Sequence, residues 1–329
     1  MGGKEGDAVR ISDGTYASAE GEMNSGRVVV FGYGELGSAA VTALGSAGAQ
    51  IVAVVVPSNR SGDDVVFMTN FARNQGLPVL VQPARKAIGP FVQELRALEP
   101  DLMVVWSYPM ILPREVIAVP RRGTINVHGG LLPEYRGGHV MQWAIINGET
   151  ETGVALHYMD EGIDTGPIIA QGRFPIQQDD DAATVRQKLK TTGVALLQEW
   201  WPAIADGRAP KIQQDETNAK YHRLRTQDDG VIDWAATSSA VCRLVKALVR
   251  PWPGAFTFVN GRKLVIWRSR PLQVSAGGQP GLVTQVDEQG AIVLTGDGQV
   301  LIEDSEVDGQ RNVGMQLQKI LRVGDRLGA

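Results

Sequence analysis

The sequence has few of the residues that covalent and metal chemistry use. Only one cysteine, Cys242, and four histidines occur among its 329 residues. A lone cysteine excludes an internal disulfide framework, and so few cysteines and histidines exclude a cysteine-rich metal site, so we expect no metal. Scarce cysteine is also typical of proteins from a reducing compartment, and we therefore expect a cytoplasmic protein.

Neither an excess of basic charge nor a long apolar run is present. The net charge is −4 at pH 7 and the pI is about 5.7. This balance does not favour a general nucleic-acid binder, although it leaves room for a local basic patch. No apolar run approaches the ~20 residues that a membrane helix needs, so we expect no membrane span. The length suits two globular domains, and a homo-oligomer is compatible with these features.

Residues 1–26 differ in character from the rest of the chain. They contain almost no apolar residues, show no periodicity, and lack the apolar core of a secretory signal. We predict a disordered leader, although an alternative start ahead of Met23 or a remnant of cloning would look the same.

Residues 27–210 alternate short apolar strands with helices. Runs such as RVVVFGY and QIVAVVVP are uninterrupted by polar residues, which is typical of parallel strands covered on both faces. The alternation predicts an α/β, doubly wound, Rossmann-like domain. Strands are expected at 27–33, 50–57, 78–81, 102–106, 123–128 and 152–158, and helices from the Gly37 turn to about 47, then at 65–75, 88–98 and 182–203, the last with Thr184 as its cap.

Residues 211–329 have the pattern of a second, mainly β domain. The polar stretch APKIQQDETN at 209–218 marks the linker. One helix, at 238–248, precedes short strands with alternating polarity. Asn260-Gly261 is a strong signal for a two-residue hairpin turn, and further turns are expected at 288–290 and 296–298. A small OB-like β-barrel fits this pattern.

Gly32, Gly34 and Gly37 have the spacing of a dinucleotide-binding loop. In that motif an acidic residue at the end of the next strand holds the ribose, but here the strand ends in Pro57-Ser58-Asn59. Arg60 would suit a 2′-phosphate, so a nicotinamide cofactor stays open. The expected role is a tight turn that packs a helix on the sheet.

Asn126, His128 and Asp164 are the candidate catalytic residues. Asn126 and His128 are two apart on a predicted strand and so share one face, and Asp164 lies in a loop rich in glycine and acid. Amide and imidazolium groups can donate to the oxyanion formed when an amine attacks a carbonyl. A neighbouring carboxylate is expected to raise the histidine pKa and to accept the proton that the amine loses. Taken singly, each residue has an ordinary structural role as an alternative: a cap, a strand-end polar group, or a turn.

The same stretch resembles the 10-formyltetrahydrofolate-dependent formyltransferases. The resemblance extends over roughly 27–325, into the second domain. It is closest to enzymes that formylate UDP-4-amino-4-deoxy-L-arabinose, and methionyl-tRNA formyltransferases are similar over the same length. The matching residues are Asn126, His128, Leu131-Leu132-Pro133, Tyr135-Arg136-Gly137, Trp143, Gly148-Glu149, Gly153, Asp164, Gly166, Gln171 and Pro251-Trp252-Pro253-Gly254.

The resemblance implies roles for these positions. Asn126 and His128 would polarise the formyl oxygen of N10-formyltetrahydrofolate, and Asp164 would tune His128. The folate would lie against Met110, Ile111 and Leu112 and against the loop Asp160, Glu161, Gly162, Ile163 and Asp164, although plain core packing is the alternative for 110–112. The candidate acceptor-binding residues are Tyr135, Arg136, Arg250 and Trp252.

Two observations bear on which amine accepts the formyl group. The loop after the second strand, residues 58–64, is short and mildly acidic. By the family resemblance, a methionyl-tRNA formyltransferase would carry a basic insertion at this place. Residues 240–270 instead contain seven basic residues and no acid, which suits either a solvated surface or a phosphate-binding face. We expect a small-molecule acceptor, a nucleotide-linked amino sugar or related amine, with tRNA as the alternative. A formyltetrahydrofolate hydrolase and a non-catalytic binding module also stay open.

Overall fold

The computed structural model describes residues 26–272 and 277–328, so the predicted leader lies outside the described residues apart from Gly26. The first domain contains these elements in chain order: β1 (Arg27–Gly32), α1 (Gly34–Ser46), β2 (Gln50–Pro57), α2 (Asp63–Asn74), β3 (Val79–Gln82), α3 (Ile88–Ala97), β4 (Leu102–Trp106), α4 (Arg114–Ile117), β5 (Thr124–His128), β6 (Arg136–Gly137), α5 (Val140–Asn147), β7 (Glu151–Tyr158), β8 (Ile168–Pro175) and α6 (Ala182–Ala205).

A seven-stranded sheet in the order β3-β2-β1-β4-β5-β7-β8 forms the centre of this domain. The strands from β3 to β5 in this order run parallel, whereas β7 is antiparallel to β5 and β8 is antiparallel to β7. The direction of winding reverses between β1 and β4, and ligands of such sheets bind beside that point, at the carboxyl ends of the strands. The predicted α/β class is therefore confirmed.

Alternate residues of each central strand enter two different cores. On β1, Val28 and Val30 belong to the core shared with α1, α2 and α6, whereas Val29 and Phe31 belong to the core shared with α3 and α4. Because both faces are covered, each strand is apolar throughout, which is why the β-branched runs were readable from the sequence.

Four short or edge elements of the first domain, α4, β6, α5 and β8, were not predicted from the sequence, and one cap was predicted wrongly. The helix α5 has only eight residues, and β8 is an edge strand whose second half is largely exposed. The long helix α6 begins after Asp181, whose carboxylate accepts the backbone N–H groups of Ala183 and Thr184. Thr184 is the third helical residue and its hydroxyl binds back to Asp181 in a reciprocal capping box, so it is not the cap.

The second domain follows a linker and consists mainly of antiparallel strands. Its elements are β9 (Tyr221–His222), which pairs back onto β6, then α7 (Ser238–Ala247), β10 (Ala255–Val259), β11 (Arg262–Leu272), β12 (Val283–Val286), β13 (Ala291–Leu294), β14 (Gln299–Val307) and β15 (Gln310–Val313). The sheet order is β10-β11-β14-β13-β12, and β15 pairs with β14.

The predicted hairpin between β10 and β11 is confirmed. Asn260 and Gly261 both have positive φ, at 50° and 74°, and Val259 pairs with Arg262 across them. The turns at 288–290 and 296–298 also join consecutive strands. No ladder between β12 and β10 closes the sheet among the residues described, so the OB-like barrel stays a prediction.

Gly193 on α6 gives a test of the core packing. A Cβ at this position would lie 2.5 Å from the ring of the buried Trp106. We expect Gly193→Ala to destabilise the fold by about 1–3 kcal/mol, because Trp106 has no room to move. The measurement is the free energy of unfolding in urea.

Gly45 is the matched control. It is an exposed helical glycine, and a Cβ added there would have no other atom within 4 Å. Gly45→Ala should therefore stabilise the fold by up to about 1 kcal/mol. Equal effects of the two substitutions would contradict this account of the core.

Candidate active site

Three predicted residues meet at the carboxyl end of β5. Asn126 and His128 point to the same side of this strand, and Asp164 reaches them from the loop between β7 and β8. The Asn126 amide donates to Asp164 Oδ1 over 3.3 Å, and His128 Nδ1 lies 3.6 Å from Asp164 Oδ2. The three side chains can therefore act on one reacting centre, which removes the main argument for a non-catalytic module.

Backbone geometry fixes the direction of the Asp164 carboxylate. Asp164 has a left-handed φ of 55°, and its Oδ2 accepts the backbone N–H of Gly137 over 2.8 Å. The loop before it is closed by Asp160, which accepts the N–H of Gly162 and the hydroxyl of Thr165. A strained residue held by such contacts is typical of a functional position.

His157 on β7 is a further member of the site that the sequence reasoning missed. It is 1% exposed. Its Nδ1 donates to the carbonyl of Tyr158 over 2.8 Å, which leaves Nε2 to accept from the Asn126 amide over 3.1 Å. Nε2 is also 3.5 Å from Asp164. The strand register could have identified this residue, because Asn126 pairs directly with His157 across the antiparallel strands.

The protonation of His128 differs from the prediction. The carbonyl of Tyr135 can only accept, so the Nε2 proton of His128 points to it over 2.5 Å. Burial lowers the pKa of His128 more than the Asp164 carboxylate raises it. The Asp164 carboxylate raises this pKa as predicted, but desolvation of the ring outweighs the ion pair, so the net shift is downward and the expected charged form is not favoured. At neutral pH, Nδ1 offers a lone pair beside Asp164.

Asp164 remains ionised despite its burial. Burial alone would raise the pKa of its carboxyl, but His128, His157 and the N–H of Gly137 outweigh that effect and hold the pKa well below the ordinary range. The site thus combines a neutral imidazole with a carboxylate, which together can take up one proton.

The predicted folate-binding residues lie on two segments, 110–112 and 160–164, that an ion pair of neighbouring residues brings together. Ile111 and Ile163 are 83% and 57% exposed, whereas Leu112 is buried in the core of the α3 side and Met110 is half-buried. Asp160, Glu161 and Gly162 are exposed in the facing loop, and Glu161 forms an ion pair of 3.2 Å with Arg114. The exposed side chains of Ile111 and Ile163 give these two segments an apolar surface.

The polar groups of Tyr135 and Arg136 form hydrogen bonds with other side chains of the protein. The Tyr135 hydroxyl donates to Glu149 over 2.7 Å. Arg136 is fully buried, and its five N–H groups donate to Gln214, Glu216 and Tyr221. Since a guanidinium has only five donors, none is left for an acceptor phosphate. Arg136 therefore has a structural role in this arrangement instead of the predicted substrate contact.

Two family profiles match this chain. The formyl transferase profile matches residues 26–200, and the profile of the formyl transferase C-terminal domain matches residues 225–319. The chain belongs to the formyl transferase family. The methionyl-tRNA formyltransferase of Caldanaerobacter subterraneus subsp. tengcongensis is 34% identical over 295 residues, which cover 88% of this chain and 95% of that protein.

Solved structures share the fold of this formyltransferase at 20% identity. WlaRD, a sugar 3N-formyl transferase solved with dTDP and 5-N-formyl-THF, has a TM-score of 0.64 and matches 87% of this chain and 99% of its own. An N-formyltransferase from Helicobacter canadensis, in complex with folinic acid and dTDP-3-aminofucose, has a TM-score of 0.65 and matches 84% and 98%. HypX from Aquifex aeolicus, in complex with tetrahydrofolic acid, has a TM-score of 0.61 and matches 92% of this chain and 50% of its own.

The glycines at 32, 34 and 37 allow close packing of α1 against β1. A Cβ on Gly32 would lie 2.7 Å from Gly37, so these two glycines let α1 approach β1. A Cβ on Gly34 would meet the Asp64 carboxylate at 2.8 Å. An acid at the amino end of this helix repels a phosphate there, so the arrangement favours the tight-turn interpretation over dinucleotide binding.

In the folded formyltransferase, arginines of the basic stretch 240–270 form ion pairs with acidic residues from a later part of the chain. Arg250 pairs with Glu306, and its guanidinium lies 4.7 Å from the Trp267 ring. Three more arginines pair with acids of the same β14 region: Arg262 with Asp308, and Arg268 and Arg270 with Glu303. Trp252 lies with its indole nitrogen 2.8 Å from the Gln142 amide, facing α5. The stretch is therefore much less positive than its sequence indicates.

The described part of the chain offers neither a metal cluster nor a membrane-crossing helix. No group of three or more histidine, cysteine, aspartate or glutamate side chains there is placed to hold a metal ion. No described helix combines the length and apolarity that crossing a membrane requires.

The lowered pKa of His128 predicts how stability depends on pH. Between the folded pKa and about 6.5, the unfolded chain binds a proton that the folded chain does not. The free energy of unfolding should therefore fall as the pH drops below about 6.5, by at most ~1.4 kcal/mol per pH unit for this histidine. Urea unfolding at several pH values between about 5 and 7 measures the slope.

His128→Gln is the comparison, because it removes the titrating group and keeps a polar side chain. Its slope should be smaller but not zero, since burial also lowers the pKa of His139. Identical slopes in the two proteins would show that His128 is not the group responsible.

Proposed function

We propose that this enzyme transfers the formyl group of N10-formyltetrahydrofolate to a primary amine of a nucleotide-linked amino sugar or a related small amine. The observation that supports it most is the contact of Asp164 with both Asn126 and His128, at 3.3 and 3.6 Å. This arrangement places proton acceptors and hydrogen-bond donors around one point without any serine or cysteine nucleophile, so the amine itself attacks.

Each catalytic residue has a distinct role in the proposed reaction. The Asn126 amide and the Nε2 proton of His128 donate to the oxygen that becomes negative, which replaces the contact of Asn126 with Asp164 and that of His128 with Tyr135. One such donor stabilises the transition state by roughly 3 kcal/mol. Asp164, with the Nδ1 lone pair of His128 beside it, accepts the proton that the amine loses. As the bond between N10 and the formyl carbon breaks, that proton is returned to N10, and tetrahydrofolate leaves. His157 orients the Asn126 amide by accepting one of its hydrogens.

The two segments 110–112 and 160–164 fit a formylfolate. The co-substrate supplies the formyl carbon, and its flat pterin suits the surface made by Ile111 and Ile163. Gln82 and Tyr108 each carry a buried oxygen atom without a hydrogen-bond partner, and Gln82 donates through its nitrogen to the Ile111 carbonyl. The unpartnered buried oxygen of Gln82, next to the contact of this side chain with Ile111, provides an acceptor for a heterocycle with several donors.

Charge supports a small acceptor over a large nucleic acid. The loop between β2 and α2 has five residues, and α2 then begins with Asp63 and Asp64. Four arginines of the 240–270 stretch are paired with acids. A sugar diphosphate needs only two or three phosphate contacts, whereas a tRNA needs an extended basic surface. Solved relatives that hold dTDP or dTDP-3-aminofucose share this fold.

Methionyl-tRNA is the second candidate acceptor. One observation favours it: the relative that is 34% identical along 88% of this chain is a methionyl-tRNA formyltransferase.

An acceptor screen tests the proposed function. Purified enzyme is given 10-formyltetrahydrofolate and, separately, nucleotide-linked amino sugars, initiator methionyl-tRNA or no acceptor, and the release of tetrahydrofolate is followed. We expect turnover with an amino sugar. Turnover with tRNA alone, steeply reduced by salt, would instead establish the second candidate. Equal turnover without any acceptor would identify a hydrolase.

Asn126→Ala serves as the control within the screen. It removes one proposed donor while leaving the core intact, so it should lower kcat by about 10²-fold or more. A rate near that of the wild type would exclude the proposed role of Asn126.

Ile111 allows the folate surface to be tested without disturbing the core. Because its side chain is 83% exposed, Ile111→Ser should leave the melting temperature unchanged. It should raise KM for 10-formyltetrahydrofolate ~5-fold, since losing a half-buried isoleucine contact costs about 1 kcal/mol. The neighbouring buried Leu112 gives the opposite control, because Leu112→Ala should destabilise the fold by about 2–5 kcal/mol. An unchanged KM in Ile111→Ser would place the folate elsewhere.

A further inference from the structure

The segment that joins the two domains lies directly on the catalytic loops. We call residues 211–225 the linker segment. At its beginning, Ile212 forms a backbone bridge with Ile168, just after the Asp164 loop. Further on, β9 pairs in parallel with β6, the strand that supplies the Gly137 N–H to Asp164. The linker segment therefore contacts both loops that hold the catalytic carboxylate.

The fit between the linker segment and β6 leaves no room for a side chain. Gly137 has φ of 100°, and a Cβ there would lie 2.2 Å from the His222 carbonyl. A Cβ on Gly138 would lie 2.3 Å from Leu224. The Gly138 N–H donates to the His222 carbonyl over 2.9 Å. Such close backbone contact fixes the orientation of the Gly137 N–H.

Gln214 is the side chain through which the linker segment contacts the Asp164 loop. Its Nε2 donates to two backbone carbonyls, of Asp164 over 2.8 Å and of Gly166 over 2.7 Å. Its Oε1 accepts from Nε and Nη2 of the buried Arg136. One amide thus joins the loop that carries Asp164 to the strand next to Gly137.

The position of this amide bears on a strained residue. Asp164 has a left-handed φ of 55°, a backbone region that aspartate tolerates better than most residues but that is uncommon outside glycine. Gln214 binds the carbonyl of Asp164 itself. Without this contact, the loop can relax and turn the carboxylate away from His128.

We propose that Gln214 is a positioning residue for formyl transfer, and that the linker segment is part of the active site. Gln214 holds the Asp164 backbone so that its carboxylate faces both Asn126 and His128. Its effect passes through Asp164, and Gln214 touches no reacting atom. This inference rests on the proposed function of the Asp164 site.

Two variants remove the donor half of Gln214. Gln214→Met keeps the approximate length of the side chain and has no N–H. Gln214→Glu keeps the oxygen that accepts from Arg136 but faces two carbonyls with a carboxylate. Glu216→Gln is the matched control, because Glu216 also binds Arg136 yet has no contact with Asp164. If Gln214→Glu fails to fold, Gln214→Met decides the test.

Kinetics and hydrogen exchange are measured together on the full chain. In both Gln214 variants we expect kcat to fall roughly 10- to 100-fold, because small displacements of a catalytic group have effects of this size. KM for both substrates should change less than about 3-fold, since the groups that bind them stay in place. Hydrogen–deuterium exchange of peptides covering 159–168 should become faster in these variants. Glu216→Gln should resemble the wild type in all three readouts.

Either of two results would overturn the proposal. Unchanged exchange in 159–168 would show that Gln214 does not hold the loop. Faster exchange with an unchanged kcat would show that restraining this loop does not affect catalysis. If the wild type transfers formyl to no amine, the proposed function fails, and the exchange measurement still decides whether Gln214 restrains Asp164.

Discussion

The active site depends on keeping one carboxylate ionised in a buried position. Partial burial opposes the charge on Asp164, and two N–H donors compensate for it: the Gly137 N–H at 2.8 Å and the Asn126 amide at 3.3 Å. Removing one partner of a buried charge leaves a group that water can no longer solvate. The identities of these neighbours therefore follow from the electrostatics of Asp164.

Burial also decides which chemistry the histidine can perform. An exposed histidine beside a carboxylate would become charged and act mainly as a donor. In this site desolvation lowers the pKa of His128, so the ring stays neutral, with its Nε2 proton directed to the Tyr135 carbonyl. A neutral ring next to an ionised Asp164 can take up a proton. A cationic ring would already carry that proton.

The second domain contributes to this site through its connection as well as through its own fold. The linker segment pairs with β6 and supplies Gln214 to the Asp164 loop, while Arg136 lies buried between them. On its other side, the α7 residue Arg243 donates to the Ile146 carbonyl at the end of α5. The two domains are thus joined by directed polar contacts, and those of Gln214 reach Asp164 itself.

The sequence by itself determined the α/β class, the succession of the central strands and helices along the chain, the 260–261 hairpin and the three candidate catalytic residues. The class, the elements and the hairpin depend on local periodicity and turn chemistry, which lie within short segments. The three candidate residues depend on the resemblance to the formyltransferases, because the spacing of Asn126 and His128 alone leaves ordinary structural roles open. It did not reveal α5 or β8, because a short helix and an edge strand have weak patterns of their own. The neutral state of His128, the membership of His157, the burial of Arg136 and the pairing of the 240–270 arginines with β14 were decided only by the tertiary structure. Each depends on burial or on contact between residues distant in the chain, and neither quantity exists until the chain has folded.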